Sequence, residues 1–370
     1  MKTGPELLSS LKSRRTGADR LHLLDSTQRA SVIASQLLVE AYETRASGAH
    51  TRYALGAMEP VSDNYTRISI QTAGRVEGQL ETRLPAAGYS VTFRRQGSVP
   101  LNVHIRGVSD VDLLVIETRS LYFDNAGVRA IRSDYPPAAT PPLTILAGLR
   151  NQCERDLRAA YHTATVDTSG AKAIKISGGS LPRAVDVVPA VWWDTVDYQA
   201  TRSETFRGVS IYNRRENSTI KNLPFLHIHR VDERCRLMGG SLRKAIRLCK
   251  NVKADLEDEG NTVGLSSYDI AGVMYHADQA AMRLGAVYPL AVLAETQRHL
   301  DALWVDKERA RALMTPDGLR RIFDVEGKFN ALLTLSTAFD KLLEAVAKEQ
   351  SPSAGPLREN YRRAVQSLAL

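Results

Sequence analysis

The order of hydrophobic and polar positions divides the chain into a first part that mixes helices with strands and a second part that is helical. In the first part, apolar residues at helical spacing predict helices over residues 28–46, 65–84 and 142–164. Alternating or β-branched stretches predict strands over 89–95, 111–118, 173–176, 184–191 and 209–212. The first part is therefore expected to form a mixed sheet with helices packed against it.

From about residue 225 onward, the strand pattern gives way to helical periodicity. Helices are predicted over 231–256, 267–283, 286–312, 325–349 and 355–368, with turns rich in Gly, Pro, Ser and Asn between them. The sequence thus predicts two domains, a catalytic core over 1–225 that includes the N-terminal helices and a helical domain over 226–370. A ligand is expected in a cleft that the helical domain closes.

Composition narrows the class of protein. The chain of 370 residues is 43% hydrophobic and 24% charged, which is ordinary for a globular protein. No apolar run approaches the roughly 18 residues that a membrane span requires. Basic residues outnumber acidic ones by 49 to 41, a net charge of +8 that favours a polyanionic ligand such as a nucleotide or nucleic acid. Three scattered cysteines and no apolar secretion signal favour a cytoplasmic protein without a membrane partner.

Three aspartates stand in stretches that are otherwise apolar. Asp110 and Asp112 are two residues apart in SDVDLLV, so their side chains share one face of a strand, with Cα atoms about 6–7 Å apart. Asp186 lies in a second β-prone stretch, AVDVVP. A divalent metal ion would compensate such carboxylates and bridge them to a phosphate. Three carboxylates on adjacent strands could hold two Mg²⁺ ions about 4 Å apart for phosphoryl displacement.

Two further motifs suit phosphate binding. Gly97 would let the main chain approach a triphosphate, and Ser98 could donate from its hydroxyl and its main-chain N–H. Arg243, Arg247 and Lys250 are spaced at i, i+4 and i+7, so they lie on one face of a helix. That face either grips the triphosphate or is solvated, and the residues alone leave both interpretations open.

The ordered set of these motifs resembles the polymerase-β-like nucleotidyltransferases, and in particular the CD-NTases (cGAS/DncV-like nucleotidyltransferases). The likeness spans about residues 30–350. Besides the aspartates and the Gly97-Ser98 pair, it is carried by Pro224, His227, GGSLR at 239–243, IRLCK at 246–250 and SSY at 266–268. The resemblance implies an α+β fold in which a nucleotidyltransferase lobe with a short mixed β-sheet is followed by an all-helical lobe.

The resemblance also implies a set of functional residues. Asp110, Asp112 and Asp186 would bind two Mg²⁺ or Mn²⁺ ions, with Asp186 placed where a ribose hydroxyl is activated. The residues that would bind the nucleotide are Gly97, Ser98, Arg243, Arg247, Lys250 and Ser267. The family usually has a threonine five residues after the serine, and this chain has Val103 there.

The activity that the resemblance implies is synthesis of a cyclic or linear oligonucleotide second messenger from NTPs, ATP expected among them, in bacterial anti-phage (CBASS-type) signalling. A nucleic-acid or protein activator and a downstream effector that binds the product are the expected partners. Two alternatives stay open: transfer of a nucleotide to RNA, a protein or a small molecule, and a catalytically silent nucleic-acid-binding scaffold. The three intact aspartates argue against the scaffold, because a binding module gains nothing from acids in a phosphate site.

Overall fold

A computed structural model gives the fold, and it describes residues 2–18, 26, 29–30, 33, 39–105, 110–353, 355 and 357–368. Contacts within the chain divide it into two compact units. The sheet unit comprises Ser62–Pro100 and Asp110–His229, and the helical unit comprises Met1–Val61, Leu101–Ser109 and Arg230–Leu370. Each unit is therefore assembled from segments that are separated in the sequence.

The helices account for most of the described residues outside the sheet. They are α1 (Gly4–Thr16), α2 (Ala41–Thr44), α3 (Ala49–Met58), α4 (Asp63–Ala86), α5 (Val128–Ile131), α6 (Pro142–Ala160), α7 (Val196–Thr201), α8 (Pro224–Leu237), α9 (Ser241–Asp258), α10 (Ser267–Tyr275), α11 (Gln279–Leu284), α12 (Ala291–Val305), α13 (Lys307–Ala312), α14 (Gly327–Gln350) and α15 (Arg358–Gln366). Among the helices that the structure describes, none combines the length and the apolar character needed to cross a membrane.

The strands of the described residues form one seven-stranded mixed sheet in the sheet unit. They are β1 (Val91–Gln96), β2 (Val111–Phe123), β3 (Thr165–Asp167), β4 (Ile174–Gly178), β5 (Leu181–Asp194), β6 (Gly208–Asn213) and β7 (Ser218–Asn222). The order is β1-β2-β5-β4-β3, with β6 paired to the second half of β5 and β7 paired to β6. The long strands β2 and β5 run parallel, and the other pairs are antiparallel.

Helices α4 and α6 cover one face of this sheet. Each presents apolar residues four positions apart, which is the spacing that keeps side chains on one side of a helix. The fully buried residues of this core are Val76, Leu80 and Leu84 of α4, Leu149, Cys153 and Leu157 of α6, and Leu113, Val115, Ile174, Ile176, Val185 and Val187 of the sheet. The opposite face of β2 and β5 is left to carry polar side chains where the two strands begin.

A buried ion pair ties the N-terminal helices into the helical unit. Arg14 of α1 donates two hydrogen bonds of 2.8 Å to the carboxylate of Asp255 in α9, and Tyr53 of α3 donates a third at 2.6 Å. Arg14 is 5% exposed and Asp255 is 3% exposed. A buried ion pair is stable only where such additional hydrogen bonds satisfy its atoms. These contacts therefore anchor α1 and α3 to α9.

The α+β class with a mixed sheet is confirmed, and each predicted strand has a counterpart within a few residues. The sheet is nevertheless larger than the sequence predicted, because β3 and β7 were not expected. Both are short, and their sequences, TVD and STIKN, are too polar to show a strand pattern.

The prediction of one unbroken helix over 231–256 is wrong. The structure starts a helix earlier, at Pro224, and interrupts it at Gly239 and Gly240, whose φ angles of +59° and +86° belong to the left-handed region. Such backbone cannot continue a right-handed helix. The predicted helices over 267–283 and 286–312 are also interrupted, because Asp278 and Asp306 each cap the start of a new helix with the side chain.

The predicted helix over 28–46 falls mostly outside the described residues, and α2 is the described helix within it. The predicted domain boundary at 225 lies near the point, between His229 and Arg230, where the chain enters the helical unit. The N-terminal helices, expected in the catalytic core, are instead grouped with the helical unit, as are Leu101–Ser109. The ion pair between α1 and α9 is a physical reason why the N-terminal helices belong to the helical unit.

Candidate active site

The neighbouring strands β2 and β5 carry aspartates on the sheet face that α4 and α6 do not cover. Side chains alternate along a strand, so Leu113 of β2 points to the helices and Asp112 points the opposite way. In the parallel register, Asp112 is the partner of Asp186, and Leu113 is the partner of Val187. The two carboxylates therefore lie on one face of adjacent strands, beside each other.

Asp110 and Lys175 add opposite charges to this face. Asp110, directly before β2, forms an ion pair with Lys175 of β4, and Lys175 is itself the register partner of Asp186. The pKa of Asp186 is raised to about 6, mainly by burial and also by the negative charge of Asp110, while Lys175 opposes the rise. The ionised form of Asp186 is thus disfavoured by its partial burial and by a neighbouring carboxylate.

At Gly97 the main chain runs directly against the Asp112 carboxylate. The φ angle of Gly97 is +78°, and a Cβ atom there would stand 2.2 Å from Oδ2 of Asp112. Glycine alone satisfies both the left-handed backbone and the close approach. Ser98 follows, and Val99 is buried against Val111 at the start of β2. The Gly97-Ser98 turn is thus fixed beside the aspartates.

The chemistry of the donor set fits a hard divalent cation. Asp110, Asp112 and Asp186 offer carboxylate oxygens, the ligands that Mg²⁺ prefers, and the raised pKa of Asp186 indicates a site where a cation is favoured. Within the described residues, however, no three His, Cys, Asp or Glu side chains are close enough together to hold one ion. Asp110 is turned to Lys175 and Asp112 lies against Gly97, so the carboxylates do not converge on one point.

The three basic residues of α9 share one face, as their spacing predicted, but they bind main chain. Their head groups donate to three consecutive carbonyls: Arg243 to Leu101 at 2.8 Å, Arg247 to Asn102 at 2.6 Å and Lys250 to Val103 at 2.9 Å. The same face also reaches back to α3, where Met58 accepts a further hydrogen bond of 2.7 Å from Arg247.

This arrangement gives the basic face a structural role that the sequence did not predict. Arg247 is 5% exposed and Lys250 is 3% exposed, so the interpretation as a solvated face is wrong for both. Burial lowers the pKa of Arg247 to about 10. The residues hold the segment that follows Ser98 along the chain, and a grip on the triphosphate stays a prediction.

Ser267 occupies the first position of α10 and is exposed. Its neighbours have structural partners: the Ser266 hydroxyl accepts a hydrogen bond of 3.1 Å from the N–H of Asp269, and the Tyr268 hydroxyl donates one of 2.5 Å to Asp317. Ser266 and Asp269 form a capping box, which explains why the helix starts here. Contact between Ser267 and a nucleotide stays a prediction.

Comparison with known proteins decides what this arrangement is. No family model matches the chain. The chain is 43% identical to the cyclic dinucleotide synthase CdnE of Yersinia aleksiciae over 314 residues, which cover 84% of this chain and 81% of that protein. The chain belongs to the CD-NTase family. It is a nucleotidyltransferase, so the enzyme class that the motifs predicted is confirmed.

Solved structures support the same fold for this CD-NTase. It is similar to a STING-associated CdnE c-di-GMP synthase from Flavobacteriaceae sp., with a TM-score of 0.74 at 23% identity, over 95% of this chain and 100% of that one. It is also similar to the STING-associated CdnE c-di-GMP synthase from Capnocytophaga granulosa, with a TM-score of 0.68 at 27% identity, over 92% and 97% of the two chains. The predicted family and fold class are therefore confirmed.

Sequence reasoning assembled most of this site but missed Lys175. The structure brings Asp110, Asp112 and Asp186 to one region with Gly97, while Ser109 of the first motif lies outside the described residues. A signal for the lysine was present: in the stretch IKIS, Lys175 alternates with buried isoleucines and must point to the opposite face of the sheet.

Proposed function

We propose that this CD-NTase condenses two nucleoside triphosphates into a cyclic dinucleotide, with GTP among its substrates. The observation that carries the proposal is the register of β2 and β5, which pairs Asp112 with Asp186 on one face of the sheet, with Asp110 just before β2. The 43% identity to a cyclic dinucleotide synthase supports the class of product. The chemistry is attack of a ribose hydroxyl on the α-phosphate of an NTP, with release of pyrophosphate.

In this proposal Asp110, Asp112 and Asp186 hold two Mg²⁺ or Mn²⁺ ions. When bound, such ions neutralise charge on the attacking and leaving oxygens of an in-line displacement. The Asp186 carboxylate is proposed to accept the proton of the attacking hydroxyl as a general base. The three residues otherwise act by position, because phosphoryl transfer needs little covalent chemistry from the protein.

The Gly97-Ser98 turn is proposed to bind the triphosphate of the donor nucleotide. The left-handed backbone at Gly97 keeps this turn free of a side chain next to Asp112. The N–H and hydroxyl of Ser98 are then donors for phosphate oxygens. Arg243, Arg247 and Lys250 support the site in this proposal by holding the chain that continues from Ser98.

The choice of base is proposed from the relatives. The two similar solved structures are c-di-GMP synthases, which supports GTP as a substrate here. ATP, expected from the sequence, is the candidate for a mixed product. Since the two NTPs differ only in the base, feeding each one alone separates a homodimeric product from a mixed one.

We further propose a cytoplasmic role in CBASS-type anti-phage signalling, with the product acting on a downstream effector. The net charge of +8 supports a nucleic-acid activator, because a basic protein attracts a polyanion. Synthesis that rises when DNA or RNA is added would support such an activator, while unchanged synthesis would favour a protein signal.

The decisive experiment supplies purified protein with α-labelled NTPs, singly and together, in Mg²⁺ or Mn²⁺, and with no other acceptor. Treatment with phosphatase then reveals a product without free terminal phosphates. Asp112→Asn keeps the shape of the side chain and removes its charge, so we expect activity to fall by roughly a thousandfold. Asp197→Asn makes the same chemical change at an exposed position in α7 and should leave activity unchanged.

Two results would contradict the proposal. The first is product that forms only after RNA, a protein or a small molecule is added, since this is the behaviour of an enzyme that modifies an acceptor. The second is equal activity in Asp112→Asn and the wild type, since a carboxylate that binds catalytic metal cannot be replaced by an amide without loss.

A further inference from the structure

Lys175 lies among carboxylates that come from three other parts of the sheet unit. In the sheet register its partners are Asp186 on β5 and Asp167 on β3. Its ammonium group forms an ion pair with Asp110 before β2, and its side chain is 47% exposed. One lysine thus supplies positive charge to a face where the proposed metal ligands supply negative charge.

The ion pair occupies an oxygen that the proposed chemistry needs. Lys175 Nζ contacts Oδ2 of Asp110, which the proposal makes a metal ligand. A divalent cation and an ammonium group bound to the same carboxylate repel each other, because like charges at contact distance interact strongly where water is partly excluded. The two cations therefore compete for Asp110.

We infer that Lys175 is a built-in counter-cation of the carboxylate site, which a divalent metal ion displaces from Asp110 as it binds. The inference rests on the proposed function, since that proposal makes Asp110 a metal ligand. The flexible four-carbon stem of lysine and the partial exposure of Lys175 let the ammonium group move away without any change in β4. Lys175 acts here as a positioning residue, because it acts through Asp110.

Displacement of the Lys175 ammonium group from Asp110 should also affect the binding of the nucleotide. A metal ion that arrives alone separates the lysine from Asp110, whereas a metal ion that arrives with a triphosphate also brings a new anion for the lysine. Lys175 thus disfavours metal binding in the absence of nucleotide and favours the metal–nucleotide complex. Removal of the lysine should make metal binding less dependent on nucleotide, so that the metal ion binds more readily on its own.

The test measures binding of Mn²⁺ by electron paramagnetic resonance to the full-length protein without nucleotide. Lys175→Met and Lys175→Gln should bind Mn²⁺ about three- to tenfold more tightly than the wild type, the range that loss of a partly exposed ion pair allows. Lys172→Met is the matched control, because Lys172 is an exposed lysine two residues before the same strand. It should change Mn²⁺ affinity less than twofold.

A second set of measurements on the same variants distinguishes the proposed effect from misfolding. Millimolar Mg²⁺ should raise the melting temperature of Lys175→Met more than that of the wild type, since a ligand that binds the folded state more tightly stabilises it more. The KM for the metal–NTP complex should rise in Lys175→Met while the Mg²⁺ concentration for half-maximal rate falls. Damage to the fold would not move these two constants in opposite directions.

Unchanged or weaker Mn²⁺ binding in Lys175→Met overturns the inference, and so does an equal gain in Lys172→Met, which would be a general effect of net charge. If the wild type forms a cyclic product and binds Mn²⁺ while the lysine variants show no gain, the inference alone fails. If no variant binds Mn²⁺ and the wild type forms no product from NTPs, the proposed function fails with it.

Discussion

At the scale of single residues, the candidate site crowds groups that elsewhere would be kept apart. Oδ2 of Asp112 approaches the main chain at Gly97 so closely that no side chain fits there. The pKa of Asp186 rises because the side chain is partly buried and because Asp110 places a second negative charge nearby. A backbone conformation that favours glycine and carboxylates placed close together are features that a fold retains where function requires them.

The first prediction concerns the close approach at Gly97. Gly97→Ala puts a methyl group where Asp112 Oδ2 now lies, so the carboxylate must move. We expect nucleotidyltransferase activity to fall at least tenfold, by about 1.4 kcal/mol or more in the barrier. Gly88→Ala is the control, because Gly88 has a φ of +86° and open space around its missing Cβ. Equal losses of activity in the two variants would show that backbone strain, and not the carboxylate, is responsible.

The second prediction concerns the stability of the metal-free protein. The pKa of Asp186 is raised from 3.8 to about 6, so the folded state holds this proton more tightly than the unfolded chain does. Between these values the folded state binds more protons, and the free energy of unfolding therefore falls as pH rises. The cost is complete above about pH 6 and absent below about pH 4.

Asp186→Asn tests this dependence, because the amide resembles the protonated carboxyl at every pH. The variant should be more stable than the wild type by about 1–2 kcal/mol near neutral pH, a value reduced for solvent screening of a half-buried group. The two proteins should be equally stable near pH 4. Urea unfolding in EDTA at both pH values measures the difference, and a gain that does not depend on pH would contradict the assignment.

At the scale of elements, α9 does more than contribute a packed face. Its three cations at i, i+4 and i+7 meet three consecutive carbonyls of residues 101–103. Leu101 and Asn102 lie in a turn, and Asn102 has a φ of +53°. One helix face thus satisfies main-chain carbonyls that have no strand partner. Residues 101–103 are held in this way without belonging to the sheet.

The third prediction concerns Arg247, which donates to the carbonyls of Met58 and Asn102. Arg247→Met keeps much of the side-chain volume but leaves two carbonyls without this donor, so we expect a loss of about 2–4 kcal/mol in the free energy of unfolding. Arg236→Met, at a side chain that is 74% exposed, should cost less than about 0.5 kcal/mol. Similar values for the two variants by urea unfolding would refute the structural role of this contact.

The elements that were predictable are those with strong periodicity. Helices α4 and α6 and the apolar strands β2 and β5 carry their patterns over many residues, and the structure has them close to the predicted places. The interruption at Gly239 and Gly240 depends on the left-handed conformation of both residues. A glycine pair inside a periodic stretch does not by itself predict that conformation. Short polar strands owe their existence to pairing with β4 and β6, which a local pattern cannot show.

The residues of the candidate site likewise include some that the sequence predicted and others that it could not predict. The aspartates were predictable because acids in apolar strands are costly and therefore informative. Lys175 and the partners of the α9 cations were not, because both depend on which segment lies opposite. The i, i+4, i+7 spacing predicts that Arg243, Arg247 and Lys250 share a face, but only the fold shows that this face meets residues 101–103.

At the scale of the whole molecule, the units do not follow the order of the sequence. The helical unit takes its N-terminal helices from the start of the chain and its remaining helices from the end. The link between these parts is the carboxylate of Asp255, which accepts hydrogen bonds from Arg14 and Tyr53. A boundary drawn from a change in composition cannot detect a contact made across more than 200 residues.

The fourth prediction concerns this link. Arg14→Met leaves the Asp255 carboxylate buried without its main partner, and the removal of one member of a buried pair costs about 3–5 kcal/mol. Arg363→Met, at a side chain that is 72% exposed, should change stability by less than about 0.5 kcal/mol. Urea unfolding monitored by circular dichroism measures both, and the double variant with Asp255→Asn should recover part of the loss. No recovery would mean that the arginine contributes through packing alone.

The route of the chain through the two units constrains how such an enzyme can be rearranged by recombination. The chain changes unit between residues 61 and 62, 100 and 101, 109 and 110, and 229 and 230. A single crossover near residue 230 would deliver α9 without the Arg14 that neutralises its buried carboxylate and without the carbonyls that its cations bind. The three segments of the helical unit must therefore be inherited together, and new specificities in this lineage are expected to arise by substitution, since a single crossover near residue 230 would break contacts within that unit.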